Sequence, residues 1–143
     1  MGLARYLAGF AAGFLAVMVF HQGMLTLLDA LGIAAFKPFP MQPTWPLGVP
    51  QVWSLAFWGG IWGVAFVAAE PWFPVGGLYW VLALLFGALG PTLVAWFVVF
   101  PLKGLPVAAG WHAARMVTGL LINGAWGIGV ALLLRAHQKG ADA

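Results

Sequence analysis

The chain has 143 residues, of which 64% are hydrophobic and 6% charged, with a net charge of +3 and no cysteine. A water-soluble domain carries roughly 25% charged residues, so this composition excludes a globule covered by water and points to lipid as the solvent. The absence of cysteine excludes disulfides, iron–sulfur clusters and thiolate chemistry. With no basic stripe or zinc-finger spacing, a nucleic-acid partner is not expected.

Four apolar runs follow one another. The first, Tyr6 to Leu28, lies between Arg5 and Asp29. It is longer than the apolar part of a secretory signal and lacks a clean small-x-small site after Phe20, so it is expected to stay as a span. The second, Val52 to Ala69, is closed by Glu70-Pro71, and the third, Leu78 to Phe100, by Pro101 and Lys103. The fourth covers about residues 112–134, its uncharged part being Met116 to Leu134, and a short polar tail takes up 135–143. About 20 residues of helix cross a bilayer core, and all four runs meet that length. Barrel strands, at about 10 alternating residues, do not fit. The expected fold is therefore all-α, a single integral membrane bundle of four transmembrane helices.

Between the first two runs, Asp29 to Gln51 holds Pro38, Pro40, Pro43, Pro46 and Pro50 among Phe36, Phe39 and Trp45. Proline removes helical donors and pushes the residue before it toward extended geometry, so an ordered non-helical loop at the membrane surface is expected. Trp45, Trp53, Trp72, Trp80 and Trp111 suit the interfacial aromatic belts. Glu70 is expected in water or headgroups beside its proline turn.

Gly60-Ile61-Trp62-Gly63 resembles Gly124-Ala125-Trp126-Gly127 at an offset of 64, which also sets Gly23 on Gly87 and Phe36 on Phe100. This suggests two tandem helical hairpins, a kind of repeat that transporters often show. Small residues let helix backbones approach closely in lipid. Gly9 and Gly13, Gly59 and Gly63, and Gly119, Asn123 and Gly127 form such stripes at steps of four. Pro91 is expected to kink the third helix and to leave the Gly87 carbonyl without its donor, with Asn123 at a similar depth to supply one.

Ionisable residues inside a membrane are costly and draw functional attention. His21 and Gln22 lie in the first run, and His112 and Arg115 at the start of the fourth. With both termini on one side, these and Asp29 are expected to gather at the opposite end of the bundle. His112, Gly119 and Asn123 share one helical face. Two metal alternatives use these residues. His21 and His112 on separate helices suit axial ligation of haem. His21 with Met24, and His112 with Met116, offer imidazole and thioether to copper(I). No paired carboxylates occur within a span, and no Walker, GxSxG or HExxH pattern is present, so catalysis is not expected.

The basic residues divide as Arg5, Arg135 and Lys139 on the terminal side against Lys37, Lys103 and Arg115 on the other. If Arg115 lies within the helix the balance favours cytoplasmic termini in a bacterial inner membrane. The sequence supports a structural or accessory bundle protein acting through helix packing, with the bilayer and a second copy or another membrane subunit as partners. A small oligomeric transporter or channel is the first alternative, and a haem- or copper-binding bundle the second.

Overall fold

A computed structural model describes residues 2–141 and has four long apolar helices. Helix α1 is Leu3–Ala30, α2 is Gln51–Trp72, α3 is Gly77–Leu102 and α4 is Ala113–Ala141. Each exceeds the apolar run that foretold it, because polar residues at the ends still complete helical turns. The polar tail is the clearest case. It continues α4 as an exposed helix to Ala141, as suits a stretch rich in the good helix formers Arg, Ala, Gln and Lys. Residues 142 and 143 lie outside the described part.

The helices form two antiparallel hairpins, α1 with α2 and α3 with α4, and glycine sets the crossing in each. A Cβ on Gly13 would meet the carbonyl oxygen of Gly59 and lie 2.9 Å from the Gly63 Cα. In the second hairpin a Cβ on Gly87 would meet the Asn123 carbonyl and lie 2.7 Å from the Gly127 Cα. Only a bare backbone permits such an approach, and in lipid that close contact is a main source of helix association. Gly9, Gly13, Gly59, Gly63 and Gly127 thus act at crossings. Gly119 does not, since its nearest neighbour beyond its own turn is Trp96 Nε1 at 4.0 Å.

The two crossings are equivalent. Gly59 and Gly63 correspond to Asn123 and Gly127, at the offset of 64 seen in the sequence, while Gly9 and Gly13 correspond to Ala83 and Gly87, at an offset of 74. The sequence alignment of Gly23 with Gly87, and of Phe36 with Phe100, is therefore corrected. The α1–α2 loop is about ten residues longer than the α3–α4 loop, which shifts the register between the first helix of each hairpin and the second. Gly23 stands in open space. The hairpins share two further features. Helices α1 and α3 each contain a π-helical turn, at Val17–His21 and Ala95–Val99. Each also ends in a left-handed glycine, with Ile33 N bonding to Leu28 O and Leu105 N to Phe100 O, the six-residue closure typical of glycine-capped helices. Near Pro91 the helix stays α-helical to Val94, and its irregularity takes the form of the π turn that follows.

The hairpins join along α1 and α4. Trp126 donates from Nε1 to the Gly13 carbonyl at 2.9 Å, across a core that includes Ala16, Val17, Ala56, Val130 and Leu134. Between α2 and α3 the space is filled by aromatic rings, with Phe86 packed edge-on against both Trp62 and Phe66.

The Pro-rich segment is ordered, as expected. Pro43–Thr44 pairs with Val49–Pro50 in a minimal antiparallel ladder, turned by Gly48 at φ +71. Pro40 O accepts from Val52 N and Gln42 O from Gln51 N, so the loop hangs from the first turn of α2.

Candidate functional site

Polar side chains cluster in three places, at different depths. The first lies at the loop end of α1. Gln22 is fully buried. Its Oε1 accepts from the backbone N–H of Phe39 at 2.6 Å, and its Nε2 lies 3.0 Å from Nδ1 of the buried His21. The π turn that ends at His21 presents these neighbouring residues, and π turns recur at functional sites. Further out, Lys37 and Asp29 form an exposed ion pair at 2.8 Å.

His112 and Arg115 do not join this group. His112 precedes α4 with its side chain exposed and its carbonyl accepting from Met116 N at 3.0 Å, and Arg115 is exposed in the first turn. Ile122 packs against Leu25 and Leu28. His112 lies ten residues beyond Ile122, away from His21, so the two histidines are separated along the bundle by roughly 15 Å or more at 1.5 Å per residue. The expected gathering of His21 with His112 and Arg115 is thus corrected: all three lie toward the loop end, but His21 sits more than two turns inside α1 while His112 and Arg115 stand at the exposed outer start of α4. Met24 and Met116 are likewise apart. Met24 packs on the Leu25–Leu28–Ile122 cluster, whereas Met116 packs on Trp96, Ala108 and Ala109. Among the described residues no group of three or more His, Cys, Asp or Glu side chains could hold a metal ion.

The second place is mid-bundle. Asn123 donates from Nδ2 to the hydroxyl of the buried Thr92 at 2.8 Å. Asn123 was expected to serve the Gly87 carbonyl. Instead its own backbone abuts Gly87, so its side chain projects toward the next turn, where Thr92 waits. Interhelical bonds of this kind contribute about 0.6–2 kcal/mol in membrane proteins. Asn123→Leu and Thr92→Val should each lower stability by about that amount, and the double substitution should lose little more than either alone. Additive losses in a denaturation cycle in detergent would show that the two side chains do not serve each other.

The third place, at the terminal end, was not foreseen. Glu70 closes α2 and takes the Tyr79 hydroxyl on Oε1 at 2.6 Å and the Arg5 guanidinium on Oε2. The Arg135 guanidinium lies 4.0 Å from the centre of the Tyr79 ring and 5.0 Å from that of Trp80. Gln138 also reaches Arg5, its amide oxygen accepting when the amide is oriented to the donor. All four helices contribute to this chain of contacts. Glu70 is thus not a solvated cap, since its side chain is only 15% exposed. The proline turn at Glu70–Trp72 folds it back over the ends of α1 and α3.

These features define a polytopic helical membrane protein of two fused hairpins. The chain matches no protein-family model, no curated protein and no solved structure.

Proposed function

We propose that the chain is a structural or accessory protein of a bacterial inner membrane, acting through helix packing with a second copy or another membrane subunit. One observation carries this reading: the inward polar groups engage other parts of the same bundle. Asn123 joins Thr92, Trp126 joins the Gly13 carbonyl, Thr118 bonds Ala114 O, and Glu70 bridges Arg5 and Tyr79. Such groups hold helices together, whereas a solute pathway keeps polar groups available along its length.

The same reading places the termini in the cytoplasm. Arg5, Arg135 and Lys139 lie at the terminal end. Lys37 and Lys103 lie at the other, where Arg115 is taken up into the first turn of α4. Cytoplasmic segments carry the excess of Lys and Arg.

Reconstitution tests the proposal. Vesicles holding the purified chain should pass protons, potassium and chloride no faster than protein-free vesicles, and elemental analysis should find no stoichiometric iron or copper. A flux that rises in proportion to the protein would overturn the proposal in favour of a transporter or channel. A bound metal would overturn it in favour of a redox role.

A further inference from the structure

The His21–Gln22–Phe39 contact has a directional logic that follows from which atoms can donate. The Phe39 backbone N–H is a donor and nothing else, so the Gln22 group facing it at 2.6 Å is the amide oxygen. The amide NH2 then faces His21, and Nδ1 at 3.0 Å must accept from it. An accepting Nδ1 carries no proton, so the ring proton of neutral His21 resides on Nε2. The chain of donors runs one way, and its direction is set by one backbone group, the Phe39 N–H, whose role cannot change.

Phe39 is also held where phenylalanine is not at ease. Its φ is +49, in the left-handed region that non-glycine residues rarely occupy. The contacts around it are few. Lys37 pairs with Asp29 on one side, and Pro40 O accepts from Val52 N on the other. Prolines 38, 40, 43, 46 and 50 have no N–H with which to make others. The bond to Gln22 seats the Phe39 turn against α1, beyond the point where Ala35 N donates to Thr118 Oγ1 at 3.3 Å and Lys37 pairs with Asp29.

We propose that His21, Gln22 and Phe39 form a proton-operated latch. It holds the Pro-rich loop on α1 while His21 is neutral and releases the loop when His21 takes up a proton. The proton binds Nδ1, which turns from acceptor to donor and now faces the Gln22 NH2. Rotating the amide serves His21 but points NH2 at the Phe39 N–H. Neither orientation accepts from both donors, so protonation leaves one donor–donor contact in a buried place. Phe39 relieves it by leaving the left-handed region, and the loop lifts.

The surrounding charges leave this to His21 alone. The turn Val17–His21 packs against the rest of α1 and against α2 and α4. Helix α2 carries no ionisable side chain before Glu70 at its far end. On α4 the ionisable groups are Arg115, next to His112, at one end and Arg135, His137 and Lys139 at the other. On α1 they are Arg5 and Tyr6 at the far end and Asp29, which is already paired with Lys37.

Because the chain has no cysteine, L47C gives a single attachment point for a nitroxide at the exposed tip of the loop. The full chain in lipid nanodiscs is then followed by electron paramagnetic resonance from about pH 8 to about pH 3, a range wide enough to protonate a buried imidazole. The latch predicts that the mobile fraction of the label rises about three- to tenfold through one proton-uptake step. In H21Q the loop should stay seated across the range, because the amide at 21 accepts from Gln22 without titrating. In Q22E it should also stay seated, since a carboxylate accepts from both Phe39 and a protonated imidazole. A purely structural contact would not be strengthened by Q22E. A label whose motion ignores pH in the parent L47C protein would overturn the proposal. So would a transition that persists in H21Q or, should H21Q fail to fold by circular dichroism, in Q22E.

Discussion

Gly13→Leu should strongly destabilise the folded bundle. A Cβ at that position already meets the Gly59 carbonyl and stands 2.9 Å from the Gly63 Cα. Both obstacles are backbone, so no rotamer change makes room, and α1 must move away from α2. Overpacking alone costs about 1–3 kcal/mol. Here the shift also breaks the Trp126 bond to the Gly13 carbonyl, a further ~1 kcal/mol, and it opens the seam between the hairpins. A total of several kcal/mol is a large share of the roughly 5–15 kcal/mol that holds a domain together. Gly23→Leu is the matched control, since nothing lies within 4 Å of a Cβ there. Thermal unfolding in detergent, followed by circular dichroism, should show Gly23→Leu close to the parent and Gly13→Leu unfolding at a markedly lower temperature. Equal behaviour of the two would remove the crossing from the account.

Glu70→Leu should have the second largest effect. It strips the partner from the Arg5 guanidinium and from the Tyr79 hydroxyl in one step. The Arg5 and Glu70 side chains are 23% and 15% exposed, so water compensates only in part. Removing one member of a fully buried pair costs about 3–5 kcal/mol, and this partly screened site should lose about 2–3 kcal/mol. Glu70→Gln keeps an acceptor for one of the two donors and should lose less than half as much. Combining Glu70→Leu with Arg5→Leu should recover stability relative to Glu70→Leu alone, because no unpartnered charge is left behind. Chemical unfolding curves decide this. If Glu70→Leu and Glu70→Gln prove equal, the carboxylate does not bridge the helices.

How much of this was legible beforehand depends on the kind of interaction. Span number and identity were, because a charge-free run of adequate length has few other fates than a membrane helix. The hairpin repeat was half legible. Gly60 to Gly63 announces itself again at Gly124 to Gly127, but a single offset misplaces Gly87 onto Gly23, because a longer loop separates α1 from α2.

The polar contacts are hidden in the sequence for a related reason. Closeness to the same end of a bundle does not bring side chains into reach, and His21 lies well inside the overlap of α1 and α4 while His112 lies outside it. The glycine stripes contained the missing information. Setting Gly13 against Gly59 and Gly63, and counting outward in opposite directions, brings Arg5 near Glu70 and Gln22 near the start of α2. The same count from Gly87 and Gly127 brings Tyr79 toward Arg135. What no count supplies is the path of the Pro-rich loop, whose return to Gln22 depends on the left-handed Phe39.

The four spans cross in alternation, and labelling single cysteines in the otherwise cysteine-free chain measures that directly. Leu47 and Gly104 lie in the loops at one end, Val75 and His137 at the other. In sealed vesicles of one orientation, a membrane-impermeant maleimide should label L47C and G104C alike and V75C and H137C alike, with only one pair reactive before lysis. Cytoplasmic termini predict that L47C and G104C react from the periplasmic side. Labelling that splits either pair would contradict the four-span bundle.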